Sequence, residues 1–418
     1  MEHRAIAIAL LLAAWPVVAG ENAVAQARLP VDLSGTLNGA EYRIRAPVNW
    51  NGTLLVYTHG TQLSPEPAAE IAPVAWPLVT PSLEEQLLAL GYALAGSGSA
   101  NSPKDGVQRT LALTNFFRGR VGNPNRTVIW GDSLGGLVTL KLIEQYPGVY
   151  DGAIANCAPS AGWAEQQDTA LALGLAYAVS FGWQDSAWGP IEDLRDDLDF
   201  FTEVAPIVAW PNESNFGRWE FIRLVNRLPQ LAFWGTDPQL NSPFFGLAMW
   251  KATALRAGAE AYAGGPVADN VGFEYTLSVE DKGYLAWLGV DADGMLAAMN
   301  ARANVVARRS ARNYAERWGG FDGRLSRPVL SMHSIFDGLI PVYNENRYAS
   351  LVAASASTDH FLPAYVNNVG HCSFSAPQYL SVVAAMQSWL ETGVRPDASM
   401  LPTSLGFDLA YVPPLWPF

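Results

Sequence analysis

Short apolar runs alternate with segments of helical spacing over the first 156 residues. Residues 41–45 alternate polar and apolar positions, which is typical of a half-exposed strand, and residues 53–58 form a continuous apolar run suited to a buried strand. The pattern predicts further strands at residues 92–95, 127–130 and 151–156, with helices at residues 82–90 and 107–121 and after residue 133. Such alternation predicts an α/β fold with a mostly parallel sheet covered by helices on both faces.

This alternation stops between residues 158 and 326. The segment instead has helical patterns at residues 168–179, 190–201, 219–228, 243–257 and 293–317 and is rich in tryptophan. Strand and helix signals then return at residues 327–332, 342–354, 361–366 and 376–390. We therefore expect a core (28–157 and 327–392) interrupted by a helical insertion (158–326) and followed by a Pro-rich tail (393–418).

The N-terminus has the pattern of a secretory signal peptide. A short basic start precedes an apolar run at residues 5–18, and small residues follow at Gly20, Ala25 and Ala27. The run is too short for a membrane span, and no later stretch is long and apolar enough to cross a bilayer. We expect residues 1–27 to be removed from a secreted or periplasmic protein. The net charge of −13 argues against nucleic acid and anionic membrane surfaces as partners.

The centre of the chain has a Gly-x-Ser-x-Gly motif, Gly131-Asp-Ser-Leu-Gly135. A β-rich run precedes it and an apolar helical pattern follows, which is the context of a nucleophile elbow. The glycines let the flanking strand and helix approach closely, and the start of the helix directs N–H groups at a developing oxyanion. The motif predicts that Ser133 is a nucleophile.

With this motif, the sequence resembles the α/β-hydrolase superfamily over residues 41–156 and 327–390. The family order is serine, acid, histidine, with a lid inserted after the strand that follows the nucleophile. The resemblance implies a triad of Ser133, Asp337 and His371, and a helical lid at residues 158–326. The turn that bears Asp337 is similar to the family's H-G-x-x-D-x-x-V-P pattern, with Ser334 in place of glycine. His371 lies between a strand and the last helix.

Other groups fit these roles less well. Asp322 and Glu345 are poorer candidates for the acid. For the oxyanion hole, the resemblance implies the N–H of Leu134 and an N–H from the loop after the third strand, for which Thr61 is a better candidate than Gln62.

Two cysteines are present, Cys157 and Cys372. Cys157 ends the strand next to the nucleophile strand and Cys372 directly follows His371, so both are expected at one edge of the sheet. We expect a disulfide, although two buried free thiols are the alternative. No His, Cys or Asp cluster has the spacing of metal ligands, so neither a metal nor a cofactor is expected.

The function expected from these features is that of a secreted serine hydrolase of carboxylic esters. A serine peptidase and a C–C bond (diketone) hydrolase are the enzymatic alternatives, and a ligand-binding module on a hydrolase scaffold is the non-enzymatic one. Dehalogenases and epoxide hydrolases are excluded because they need an aspartate at Ser133. The aromatic insertion favours an ester substrate, small or polymeric, with an apolar or aromatic group, unless its tryptophans only form its own core.

Overall fold

Nine strands form a mixed sheet in the part of the chain that the structure, a computed structural model, describes: residues 28–61, 69–98, 101–229 and 238–417, without the side chains of 238–243. The predicted signal peptide and Gln62 lie outside these residues. The strands are β1 (Val31–Leu37), β2 (Ala40–Ala46), β3 (Thr53–Thr58), β4 (Ala93–Ser97), β5 (Arg126–Asp132), β6 (Gly152–Asn156), β7 (Val329–Phe336), β8 (Phe361–Val369) and β9 (Phe407–Asp408).

The strand order is β1-β2-β4-β3-β5-β6-β7-β8-β9. The strands from β4 to β8 in this order are all parallel, whereas β1, β2 and β9 pair antiparallel at the two edges. The mostly parallel sheet predicted from the sequence is confirmed, and its order is that of the α/β-hydrolase fold. In this order β5, which carries the Gly-x-Ser-x-Gly turn at its end, lies in the middle of the sheet.

Helices cover both faces of the sheet. They are α1 (Leu83–Ala89), α2 (Pro103–Arg120), α3 (Leu134–Gln145), α4 (Trp163–Phe181), α5 (Asp185–Trp188), α6 (Phe216–Val225), α7 (Pro238–Trp250), α8 (Arg256–Ala263), α9 (Val279–Trp287), α10 (Ala292–Asn300), α11 (Arg309–Gly319), α12 (Tyr343–Ala354) and α13 (Ala376–Thr392). Successive residues of β5 point to opposite faces, so Val128 and Trp130 pack with α1 and α13 while Ile129 packs with α2, α3 and α12. This explains why the strand is apolar throughout.

The start of α1 follows from a local signal in the sequence. The Ser82 hydroxyl accepts a hydrogen bond from the Glu85 N–H, and the Glu85 carboxylate accepts one from the Ser82 N–H. This capping box satisfies two N–H groups that a helix start leaves without acceptors. The helix predicted at residues 82–90 is confirmed.

The segment between β6 and β7 contains α4 to α11 and two π-helical turns, Phe200–Val204 and Lys251–Leu255. It has an apolar core of its own, in which Trp188 and Trp219 are completely buried. The tryptophans of this segment therefore serve in large part to stabilise the insertion itself.

Two helices predicted in this segment are wrong. Residues 190–199 form turns, because the Arg256 guanidinium donates to the carbonyls of Ile191 and Glu192. Residues 293–317 form α10 and α11 with a break between them, where the Asn270 side chain accepts from the Val305 N–H and donates to the Arg302 carbonyl. In both places a distant side chain takes over backbone groups that a helix would need.

The C-terminal tail adds an element that the sequence did not predict. Phe407 and Asp408 pair with Val366 and Tyr365, so a two-residue strand closes the β8 edge. A strand this short has no readable periodicity, and only its partner fixes it. Among the described helices, none is both long and apolar enough to cross a membrane.

Candidate active site

Ser133 lies at the tight turn between β5 and α3. Its backbone has φ 57° and ψ −122°, a conformation that side chains rarely adopt. A Cβ at Gly131 or at Gly135 would overlap with Thr58, so only glycine permits β3 to approach the turn on this side. The Thr58 hydroxyl also donates to the Gly135 carbonyl over 2.6 Å. The two glycines of the motif thus hold Ser133 above the end of the sheet.

Ser133, His371 and Asp337 form a continuous hydrogen-bonded chain. His371 Nε2 lies 2.8 Å from Ser133 Oγ, and His371 Nδ1 lies 2.7 Å from Asp337 Oδ2. A carboxylate beside Nδ1 favours the tautomer with the proton on Nδ1, so that Nε2 can accept the proton of the Ser133 hydroxyl. The fold thus brings together three residues separated by 204 and 34 positions in the sequence.

Asp337 is completely buried at the turn that follows β7. Its Oδ1 accepts hydrogen bonds from the N–H groups of Leu339 and Ile340, each over 2.9 Å. One carboxylate oxygen is thereby fixed by the backbone, and the other is left to His371. These hydrogen bonds satisfy the buried side chain and fix its orientation.

The turn is supported from behind by His333 and Glu345. His333 Nε2 lies 2.8 Å from the Ile340 carbonyl, and its Nδ1 lies 3.3 Å from a Glu345 carboxylate oxygen. Burial lowers the pKa of His333, but the hydrogen bond and charge of Glu345 outweigh it and the pKa is raised. Glu345, the first alternative candidate for the acid, contacts His333 and Ser331. Asp322, the other alternative, lies beside Glu144.

The two residues expected to stabilise an oxyanion lie beside Ser133. Leu134 is the first residue of α3, so its N–H has no acceptor within the helix. Thr61 lines the same cavity as Ser133 and Leu134. The preceding Gly60 packs closely against the nucleophile turn, because a Cβ there would lie 3.2 Å from the Asp132 carbonyl oxygen. Their role as oxyanion donors stays a prediction.

Cys157 and Cys372 are joined by a disulfide, as expected from the sequence. The Cys157 N–H donates to the Met332 carbonyl over 2.7 Å, which fixes this end of the bond to the sheet. Cys372 Sγ lies 3.3 Å from His371 Nε2. These three residues are close enough to resemble a metal site, but disulfide sulfurs offer no thiolate.

Asp132, next to Ser133 in the chain, is a buried acid that the sequence did not single out. It accepts hydrogen bonds from the Tyr379 hydroxyl over 2.6 Å and from the Asn156 amide over 2.9 Å. Burial raises the pKa of Asp132 to about 6, against the opposing effect of these two donors. Its position inside the motif was visible in the sequence, but its burial and partners were not.

A cavity of about 680 Å³ opens over Ser133 and His371. Apolar and aromatic side chains from the insertion form much of its wall, including Trp163, Leu198, Phe200, Trp250 and Leu255. Lys251 and Gln166, which sequence reasoning missed, also line it. The insertion therefore combines its own core with a wall of the cavity.

No protein-family model matches the chain. The chain is 23% identical over 409 residues to an o-phthalyl amidase of Xanthobacter agilis, covering 86% of this chain and 87% of that protein.

Among solved structures, the chain is similar to feruloyl esterase B from Aspergillus oryzae, with 14% identity, a TM-score of 0.44, and 88% and 82% of the two chains covered. It is also similar to tannin acyl hydrolase from Aspergillus niger, with 13% identity, a TM-score of 0.42, and 86% and 77% covered. By name these relatives are an amidase, an esterase and an acyl hydrolase.

Proposed function

We propose that this chain is a secreted serine hydrolase that cleaves carboxylic esters through Ser133, His371 and Asp337. The observation that carries the proposal is the hydrogen-bonded chain from Ser133 Oγ through both nitrogens of His371 to Asp337, with distances of 2.8 and 2.7 Å. A serine hydroxyl is a weak nucleophile by itself, and this arrangement supplies the base that activates it and the acid that orients the base.

In the proposed mechanism, Ser133 Oγ attacks the acyl carbonyl while His371 Nε2 takes its proton. The carbonyl oxygen becomes an oxyanion, which the N–H groups of Leu134 and Thr61 stabilise. The bond to the alcohol breaks, the alcohol oxygen takes the proton from His371, and an acyl-enzyme remains. Water deprotonated by His371 then attacks the acyl-enzyme, and Ser133 regains its proton as the carboxylic acid leaves.

Two further features support parts of this proposal. The disulfide fits an oxidising compartment and therefore the secretion predicted from residues 1–27. The aromatic side chains that line the cavity fit an apolar or aromatic acyl or alcohol group. We propose that residues 158–326 act as a lid in the sense that they wall the substrate cavity.

Amide hydrolysis is the second candidate function. The observation that favours it is the 23% identity to an amidase over most of both chains. The same three residues can cleave an amide, provided that His371 protonates the departing amine. The peptidase alternative belongs to the same class, whereas no specific observation favours the C–C hydrolase or the non-enzymatic alternative.

A matched pair of substrates distinguishes ester from amide cleavage. The protein without residues 1–27 is assayed with 4-nitrophenyl benzoate and N-(4-nitrophenyl)benzamide, and with the corresponding acetyl compounds. Ser133→Ala is expected to abolish release of 4-nitrophenol from the esters and of 4-nitroaniline from any anilide that the parent cleaves. Ser350→Ala, which removes an exposed serine hydroxyl on α12, is expected to retain the parent's activity. Faster cleavage of the anilides than of the esters would favour the amidase.

A fluorophosphonate probe tests the nucleophile without a choice of substrate. It is expected to label the parent and Ser350→Ala but not Ser133→Ala. A folded parent that neither cleaves these compounds nor reacts with the probe would overturn the proposal.

A further inference from the structure

Lys251 is a buried lysine in the wall of the cavity above Ser133. It lies on the π-helical turn after α7, and only 3% of it is exposed. Its Nζ donates a hydrogen bond to Gln166 Oε1 over 2.9 Å. An ammonium group has three N–H donors, so a neutral amide oxygen satisfies one of them and compensates none of the charge.

Among the described residues, the buried Arg256 has a carboxylate partner, whereas the two buried lysines, Lys141 and Lys251, do not. Arg256 pairs with Glu260 over 2.7 Å, and Arg223 pairs with Glu220 over 2.8 Å. Among the residues that the structure describes, Lys251 has no carboxylate oxygen within 4.0 Å. A buried charge without a counter-ion is unfavourable. Of the two buried lysines, Lys251 is the one that lines the cavity above Ser133.

The acidic residues that line the cavity are already engaged within the protein. Glu70 lies 2.7 Å from His59 Nε2, and Asp199 accepts the Thr202 N–H at the start of a π-helical turn. Asp132 accepts from Tyr379 and Asn156, as described above. Among the described residues that line the cavity, Lys251 is the only lysine or arginine. When protonated, it therefore places a positive charge without a counter-ion in the cavity wall.

Gln166 holds Lys251 in a defined orientation. The Gln166 amide donates to Asn344 Oδ1 over 2.5 Å, and Asn344 in turn donates to the Pro341 carbonyl over 2.8 Å. These bonds direct the Gln166 oxygen at Lys251 and connect it to the segment just after Asp337. The lysine is therefore fixed in place before any ligand arrives, as expected of a binding group.

We propose that Lys251 binds a carboxylate of the substrate, so that the enzyme prefers esters or amides whose acyl or leaving group carries a carboxylate beside an apolar or aromatic body. The inference rests on the proposed function and adds a substrate class to it. A carboxylate in the cavity supplies the counter-ion that the chain lacks and takes the remaining ammonium donors. The neighbouring Trp250 and Trp163 supply the apolar surface for the rest of the group.

The ionisation of Lys251 gives this preference a pH dependence. Burial lowers the pKa of Lys251 to about 7, although the negative charge of Asp337 acts in the opposite direction. Only the protonated form attracts an anion, so binding of a carboxylate is strongest below this pKa and weakens as the pH rises through it. The elements packed against the turn also carry Glu165 and Asp168 on α4 and Arg256 and Glu260 on α8. The first π-helical turn contains Glu203 and is preceded by Asp199.

Competitive inhibition tests the inference. Benzoate and the three benzenedicarboxylates are compared with benzamide as inhibitors of the hydrolysis of a neutral ester. The readout is the ratio of the benzamide to the benzoate inhibition constant within each variant, so that a general loss of activity cancels. Lys251→Met is expected to lower this ratio about tenfold, as for a lost charge-assisted hydrogen bond.

Two further variants separate the charge of Lys251 from a general loss of structure. Gln166→Glu introduces a carboxylate that pairs with Lys251, and it is expected to lower the ratio as well. Lys141→Met removes a buried lysine that lies outside the cavity and donates to the Gly320 carbonyl, and it is expected to leave the ratio unchanged. In the parent, the ratio of the benzamide to the benzoate inhibition constant is expected to fall as the pH rises through 7. In Lys251→Met, this ratio is expected to stay constant over the same pH range.

The failure of this inference is distinguishable from the failure of the proposed function. Binding of benzoate and benzamide can be measured by calorimetry with the parent and with Ser133→Ala, without any turnover. If neither the parent nor Lys251→Met distinguishes benzoate from benzamide, the carboxylate site is overturned even when the ester is hydrolysed. If benzoate binds through Lys251 while no ester or amide is cleaved, the proposed reaction fails and the anion site stands.

Discussion

Cys157, at the end of β6, is joined by a disulfide to Cys372, the residue directly after His371. The bond ties the loop between β8 and α13 to the strand beside the nucleophile strand. His371 lies between this bond and Asp337, so its ring is held from two sides. The distance between His371 and Ser133 therefore depends on a covalent link as well as on packing.

Removing the disulfide is expected to lower both stability and activity. Cys157→Ala should reduce the free energy of unfolding by about 2–5 kcal/mol, as is typical for a native disulfide. Denaturant unfolding measures this change, and turnover of a neutral ester measures the loosening of His371. Treatment of the parent with a thiol reductant should reproduce the loss, whereas Cys157→Ala should not respond to it. Equal activity with and without the bond would mean that it serves stability alone.

The turn at Ser133 is expected to tolerate no side chain at Gly135. Gly135→Ala places a Cβ on the backbone of β3 at Thr58, so β3 or the turn must shift. We expect fluorophosphonate labelling of Ser133 to fall strongly, together with the melting temperature. Gly119→Ala is the matched control, because a Cβ at this helical position on α2 meets no atom within 4 Å. That variant should label normally and gain up to about 1 kcal/mol in stability. Normal labelling of Gly135→Ala would contradict the packing described here.

Asp337→Asn is expected to lower kcat for the best ester by about 10⁴-fold, because an amide does not favour the required tautomer of His371. The substitution keeps the shape of the side chain, so the loss should occur in a folded protein, which circular dichroism can check. Asp322→Asn, at the alternative acid, is expected to keep the parent rate. Comparable losses in the two variants would show that Asp337 has no special role.

The stability of the protein is expected to fall between about pH 4 and pH 6 because of Asp132. Its pKa is raised from 3.8 to about 6 in the folded protein, so the folded state favours the protonated form. The stabilisation is fully present below 3.8 and is lost as the pH rises to 6, which corresponds to about 3 kcal/mol. Urea unfolding across this range should show the change in the parent.

Asp132→Asn should remove the part of this pH dependence that comes from Asp132. The Tyr379 hydroxyl can still donate to the substituted amide, and Asn156 Oδ1, a buried acceptor without a hydrogen-bond partner in the described structure, can accept from it. Asp359→Asn serves as a control for an acid outside the site. An unchanged pH profile in Asp132→Asn would show that another group titrates.

Several features of the fold and site were determined by local sequence. The apolar runs, the capping box at Ser82 and the Gly-x-Ser-x-Gly motif each depend on residues a few positions apart, so they could be read directly. The resemblance in residue order then pointed to Asp337 and His371, which the structure brings into contact with Ser133. The disulfide could be predicted because both cysteines follow strands that end at the same edge of a parallel sheet.

Other features were decided only by the tertiary structure. The insertion contains no strands of the sheet, so its sequence lacks the alternation of strands and helices seen in the core. Its helices end where distant side chains such as Arg256 and Asn270 form hydrogen bonds with the backbone. Lys251 lies in a mostly apolar stretch of the sequence, and nothing near it in sequence indicates that Gln166 is its partner. The burial and charge balance of such a group depend on which elements pack around it, and short-range sequence pattern does not contain that information.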